Sequence, residues 1–188
     1  MKNNICEIVI GRGILKWDAA WRIIEWLADP DAGHGLKNKF KDKLLEHCLG
    51  SGLNTGEIAV EYYLGKDNQG KSRHPDIAIA TPSLVNPDVI ALMDDLANIN
   101  PNSSRKISNL LAYNELCAEK FPDAERKIVV ITDTTKIERF VKLDKAFDAK
   151  EDVSLVYLPL QQMGEWVAQI PHSNDRIVED FVEWSTSL

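Results

Sequence analysis

The chain has 188 residues, 44% of them apolar and 27% charged, a balance that suits one globular domain with a sizeable core and excludes a disordered or fibrous chain. Its formal net charge of -7 excludes a generally basic protein that coats nucleic acid. Contact with a polyanion would need a local patch of cations or bridging metal ions.

In chain order, Asp18 to Ala28 (DAAWRIIEWLA) sets Trp21, Ile24 and Leu27 on one side of a helix that Asp18 can cap. The turn formers of DPDAGHG, from Asp29 to Gly35, end it. Leu36 to Leu49 is a second amphipathic helix with Phe40, Leu44, Leu45 and Cys48 on its apolar face. Glu57 to Leu64 (EIAVEYYL) has the β-branched and aromatic content of a strand, and the polar turn GKDNQGKSR predicts a hairpin partner at Pro75 to Thr81. Val89 to Met93 is a third, interior strand. A helix follows at roughly 105–120, with Ile107, Leu110, Leu111 and Leu116 facing a core. Lys127 to Thr132 is a buried strand, Thr134 to Phe147 a helix, Val153 to Leu158 a fifth strand and Asn174 to Trp184 a closing helix. This order predicts an α/β fold, a mixed sheet of four to five strands with helices on both faces.

The N-terminal MKNNICEIVIGRG has no long apolar run of the signal-peptide kind, and no window is apolar enough to span a bilayer. Cys6, Cys48 and Cys117 make no CxxC pair and no zinc spacing, so buried free thiols are expected. Together these predict a cytoplasmic protein with no membrane partner. No G-x-x-x-x-G-K-[ST], G-x-G-x-x-G or G-x-S-x-G is present. The tryptophans at 17, 21, 26, 166 and 184 fall mainly in helices and read as core or interface anchors.

Three stretches carry a resemblance: WLADPDAGHGLKNKFKDKLLEHCL, HPDIAIAT and RKISNLLAYNEL. Within the ordered elements, they resemble the leader, the P-D-hydrophobic strand and the following helix of the PD-(D/E)XK nuclease superfamily. The last often carries Q-x-x-x-Y, and here Asn109 and Tyr113 stand in those two places. The resemblance covers most of the chain. It implies a restriction-endonuclease-like αβββαβ core over 36–132 in a single domain over 1–188, with a helical leader at 1–35 and a helix-strand-helix extension at 133–188. It also implies divalent-metal-dependent hydrolysis of DNA, with Mg2+ or Mn2+ as cofactor, and by analogy a phage-defence or mobile-element setting. A homodimer is compatible with it.

Residue by residue, Asp76 matches the metal-binding aspartate of the P-D strand. Glu61 on the first strand, or Glu46 on the helix before it, is the candidate extra carboxylate. The third strand departs from the pattern. The expected (Asp/Glu)-x-Lys falls on Met93 and Asp95 in one register and on Ala91 and Met93 in another. Two substitutions would restore the chemistry. Asp94 or Asp95 would take the place of the metal-binding carboxylate; alternation sets them on opposite faces, so only one can look into the site. Lys106, in the first turn of the next helix, would supply the cation. Arg105, Lys106, His74 and Tyr113 are the candidate nucleic-acid contacts. Without those substitutions the chain is a catalytically silent relative that binds a protein or nucleic acid.

Plainer roles stand beside these. Asp76 after a proline suits strand entry, and Asp94-Asp95 suits the polar start of a loop. His34 reads as a turn histidine bonding locally, and His47, His74 and His172 are scattered. Lys37, Lys39, Lys41 and Lys43 read as a solvated helix face. Arg105-Lys106 opposes the helix dipole, which hints at an anionic partner nearby.

Overall fold

The computed structural model describes residues 18–53, 55–95, 103–132, 140–173 and 175–187, with backbone alone at 18–21 and 95. Five strands form one mixed sheet: β1 (Glu57–Val60), β4 (Ile77–Pro82), β5 (Pro87–Asp95), β6 (Glu125–Thr132) and β7 (Val153–Pro159), in the order β1-β4-β5-β6-β7. β1, β4 and β5 pair antiparallel, whereas β5, β6 and β7 run parallel. The parallel steps need crossover connections. Helix α3 (Ser104–Lys120) joins β5 to β6, and α4 (Val141–Asp148) lies between β6 and β7. A separate two-stranded ribbon, β2 (Gly65–Lys66) and β3 (Ser72–Arg73), stands between β1 and β4 in the chain.

Alternation along the strands divides the core in two. Ile77, Ile79, Ala91, Met93, Val129 and Ile131 face helices α1 (Asp18–Ala28), α2 (Lys39–Leu49), α5 (Leu160–Gln169) and α6 (Arg176–Thr186). Ala78, Ala80, Ile90, Leu92, Ile128 and Val130 face α3 and α4, where Leu110, Leu116, Leu143 and Phe147 close the second core. Both sheet faces are therefore covered, as the apolar character of β5 and β6 requires.

Several elements differ from the sequence reading. β1 stops at Val60 because Glu61 has φ +45, a left-handed conformation that breaks an extended strand. Lys37 also has positive φ, so α2 begins at Lys39 and not at Leu36. The helix expected from Thr134 is described only from Phe140 onward. Helix α5 has no counterpart in the sequence reading. It begins after Pro159, a residue tolerated at a helix start. Gly164 in its middle faces α6 so closely that a methyl group there would run into Ser185 Oγ.

The turn after α1 is held by His34, which is fully buried. Its Nδ1 accepts from the Leu36 amide at 3.0 Å, and its Nε2 lies 3.0 Å from the Trp26 carbonyl, which assigns the ring proton to Nε2. Gly33 and Gly35 on either side have φ +81, conformations that glycine adopts without strain. Among the described residues no helix is long and apolar enough to cross a membrane.

Candidate functional site

β4 and β5 are in register with Ile77 opposite Met93. Continued by one residue, that register sets Asp76 opposite Asp94, and opposed residues of an antiparallel pair share a face. The face is the one covered by α3, because Asp94 follows Met93 of the first core and shares its side with Leu92 of the second. Two aspartates thus stand side by side on the α3 face where the β4-β5 pair opens.

α3 supplies their neighbours. Lys106 Nζ lies 2.7 Å from Asp94 Oδ1, and the two side chains are 24% and 6% exposed. The conflict between a basic first turn and the helix dipole is settled here, since Asp94 is the anion that Lys106 meets. About two turns further along α3, Tyr113 donates to the His74 carbonyl at 3.1 Å. Burial first, then the negative charges of Asp94 and Asp76, push its phenol well above the ordinary value. Tyr113 therefore stays a hydrogen-bond donor throughout the neutral range. Both aspartates thus act on the same phenol.

Beside this cluster lies an ion pair that the sequence reading did not identify. Arg73 Nη2 is 2.6 Å from Asp67 Oδ2, and Nη1 donates to Asn109 Oδ1 at 2.6 Å. The amide of Lys71, then Arg73 and the amide of Gln69, hold the Asp67 carboxyl below its usual range, against the opposing effect of burial. Asn109 and Tyr113 thus both grip the segment 73–74 that leads into Asp76. The signal in the sequence was the Q-x-x-x-Y-like pattern of RKISNLLAYNEL, whose four-residue spacing puts both on one helix face.

The other expected residues are spread out. Glu61 is exposed; its amide donates to the Asp76 carbonyl at 2.9 Å. Glu46 is exposed on α2, which packs on the opposite face of the sheet. Asp95 closes β5, with its side chain outside the described residues. Arg105 is exposed at the start of α3. His74 is exposed, with Nδ1 3.3 Å from the Glu61 carbonyl and its ring against Tyr63. Among the described residues no three His, Cys, Asp or Glu side chains gather as a metal cage, so Glu61 does not join Asp76 and Asp94. Two carboxylates still fit a magnesium-type ion, which is commonly held by one or two carboxylates with substrate phosphate and water completing the shell.

Cys48 and Cys117 are buried, and burial pushes their thiols up to about 12 and about 11. Neither is a nucleophile at neutral pH. A cavity of about 450 Å³ lined by Trp26, Asp29, Lys41, Ile58 and Val60 includes none of the cluster. Its lining also includes Glu25, so it too carries ionisable side chains, none of which belongs to the strand-end cluster. No family model, curated protein or solved structure matches the chain.

Proposed function

We propose that the chain is a divalent-metal-dependent phosphodiester hydrolase acting on DNA, built on a restriction-endonuclease-like arrangement of α2, β1, β4, β5, α3 and β6. The observation that carries this reading is the Asp94–Lys106 contact at 2.7 Å on the carboxylate that opposes Asp76. It assembles two acidic groups and one cation although β5 has no (Asp/Glu)-x-Lys.

In this reading Asp76 and Asp94 hold the ion. A bound Mg2+ or Mn2+ supplies charge stabilisation at the phosphoryl group and a more acidic water. Lys106 is placed to neutralise charge that grows on the phosphoryl oxygens. Water adds to phosphorus, one P–O ester bond breaks, and the leaving oxygen takes a proton. Tyr113 keeps its proton and positions the strand entry through the His74 carbonyl.

The test is cleavage of labelled single- and double-stranded DNA, with RNA for comparison, in magnesium or manganese. Asp76→Ala is expected to lower the rate by about 100-fold or more. Cleavage that survives Asp76→Ala would reject the reading. A second reading, a silent relative serving as a binding module, is favoured by one observation: Asp94 already has an ammonium on Oδ1, and no third acidic ligand joins it among the described residues. Calorimetry separates the two, since the binding module takes up no magnesium.

A further inference from the structure

The segments 61–64 and 73–76 run side by side. Glu61 N–H donates to the Asp76 carbonyl at 2.9 Å, and Leu64 N–H to the Arg73 carbonyl at 3.0 Å. This pairing sets Tyr63 across from His74. Their rings meet with centroids 5.1 Å apart at 41°. Tyr63 is 51% exposed, one of few large apolar side chains so open among the described residues. His74 is exposed as well.

Burying an aromatic ring is among the larger gains in folding, and this ring is held open against a second ring at the edge of the site. The position of this one is fixed from two sides. His74 stands two residues before Asp76, and its carbonyl takes the hydrogen bond of Tyr113, whose phenol also feels Asp94. The platform is thus tied by covalent bonds and by hydrogen bonds to the carboxylate pair. An open pair of inclined rings next to a phosphate-handling site matches an unpaired nucleobase, which can stack on the exposed Tyr63 face, since every base has a face to stack and the bases of a duplex are already stacked on each other. We propose that Tyr63 and His74 stack an unpaired base next to the phosphate presented to Asp76 and Asp94, making single-stranded DNA the substrate class. The inference rests on the phosphodiesterase reading for the phosphate, and on the ring pair alone for the base.

The test measures binding and cleavage separately. Anisotropy of a labelled single-stranded oligonucleotide, with chelator present so that nothing is cut, reports binding by the intact protein. Single-stranded DNA is expected to bind more tightly than a blunt duplex of equal length. Tyr63→Ala is expected to weaken it by roughly 5- to 100-fold, the range of one base-aromatic stack. Tyr63→Trp is expected to keep it. A strand made entirely of abasic sites should bind alike to the original protein and to Tyr63→Ala, a result that lost folding or lost charge cannot produce. Thermal unfolding checks that the exposed position leaves stability unchanged.

Tyr63-dependent binding without cleavage in magnesium upholds the platform and rejects hydrolysis. Cleavage with a preference for duplex, unchanged in Tyr63→Ala, overturns the platform and leaves hydrolysis standing. Equal binding of original and variant to single-stranded DNA also overturns it, and so does a Tyr63-dependent partner that proves to be a protein.

Discussion

His34 and Asp94 are both almost wholly shielded from solvent, at 0% and 4% exposure, and both are met by polar partners. The partners differ in kind. His34 spends its two ring nitrogens on backbone groups of Trp26 and Leu36, within ten residues of itself. Asp94 meets an ammonium from another element, α3, and stands across the β4-β5 register from Asp76. Local backbone partners make a turn rigid and leave nothing over for chemistry. Opposed like charges, drawn from separate elements to a strand end, have no purpose in holding a turn. The contrast separates a polar group whose partners are all local to one turn from one held between separate elements, which is the kind of group the proposed function calls on.

The largest effect is expected at Asp94. Lys106→Met leaves that carboxylate buried without its ammonium and should cost about 2–4 kcal/mol in urea unfolding. Adding Asp94→Asn should restore most of the loss. A cost below about 0.5 kcal/mol would class the pair with solvated surface pairs and dissolve the contrast. His34→Ala should cost about 2–3 kcal/mol, because the buried Leu36 amide and Trp26 carbonyl lose their partners. It should leave metal binding unchanged when both are compared by calorimetry. If His34→Ala altered metal affinity, the turn would belong to the site after all.

The smallest effect concerns Asp67. Its carboxyl is held below the ordinary value of 3.8 in the folded chain. The stability it contributes is therefore complete above that value and is lost as pH falls through the lower, folded one. An NMR titration of Asp67 should show a depressed midpoint. In Arg73→Met the midpoint should rise only part of the way, because the Lys71 amide is the first cause of the depression and remains in place.

Much of the fold was readable because period and punctuation agreed. Asp18 to Ala28 is a helix over the expected residues, and the strand expected from Pro75 begins two residues later, at Ile77. Helix α5 was not readable: its Pro159 and Gly164 look like breakers in sequence, yet one opens the helix and the other is demanded by the approach of α6. At the site, the resemblance named Asp76, Asp94 or Asp95, and Lys106 as candidates. It left the choice between Asp94 and Asp95 open, and only the β4-β5 register decides which aspartate stands across from Asp76. Arg73 and Asp67 were hidden for a different reason. They lie six residues apart in a polar turn, and nothing local says that Asn109, 36 residues later, will complete the arrangement.

The left-handed step at Glu61 has a further consequence. β1 and β4 pair directly, with Val60 opposite Ile77, and the intervening stretch leaves the sheet and returns to it. That stretch carries Tyr63, Asp67, Arg73 and His74, while the carboxylate pair stays on the sheet behind it. Its length and composition can therefore change without shifting a single rung of the β1-β4 ladder. Only its tip is free to vary in this way, because Arg73 and the His74 carbonyl are held by Asn109 and Tyr113 of α3 and lead directly into Asp76.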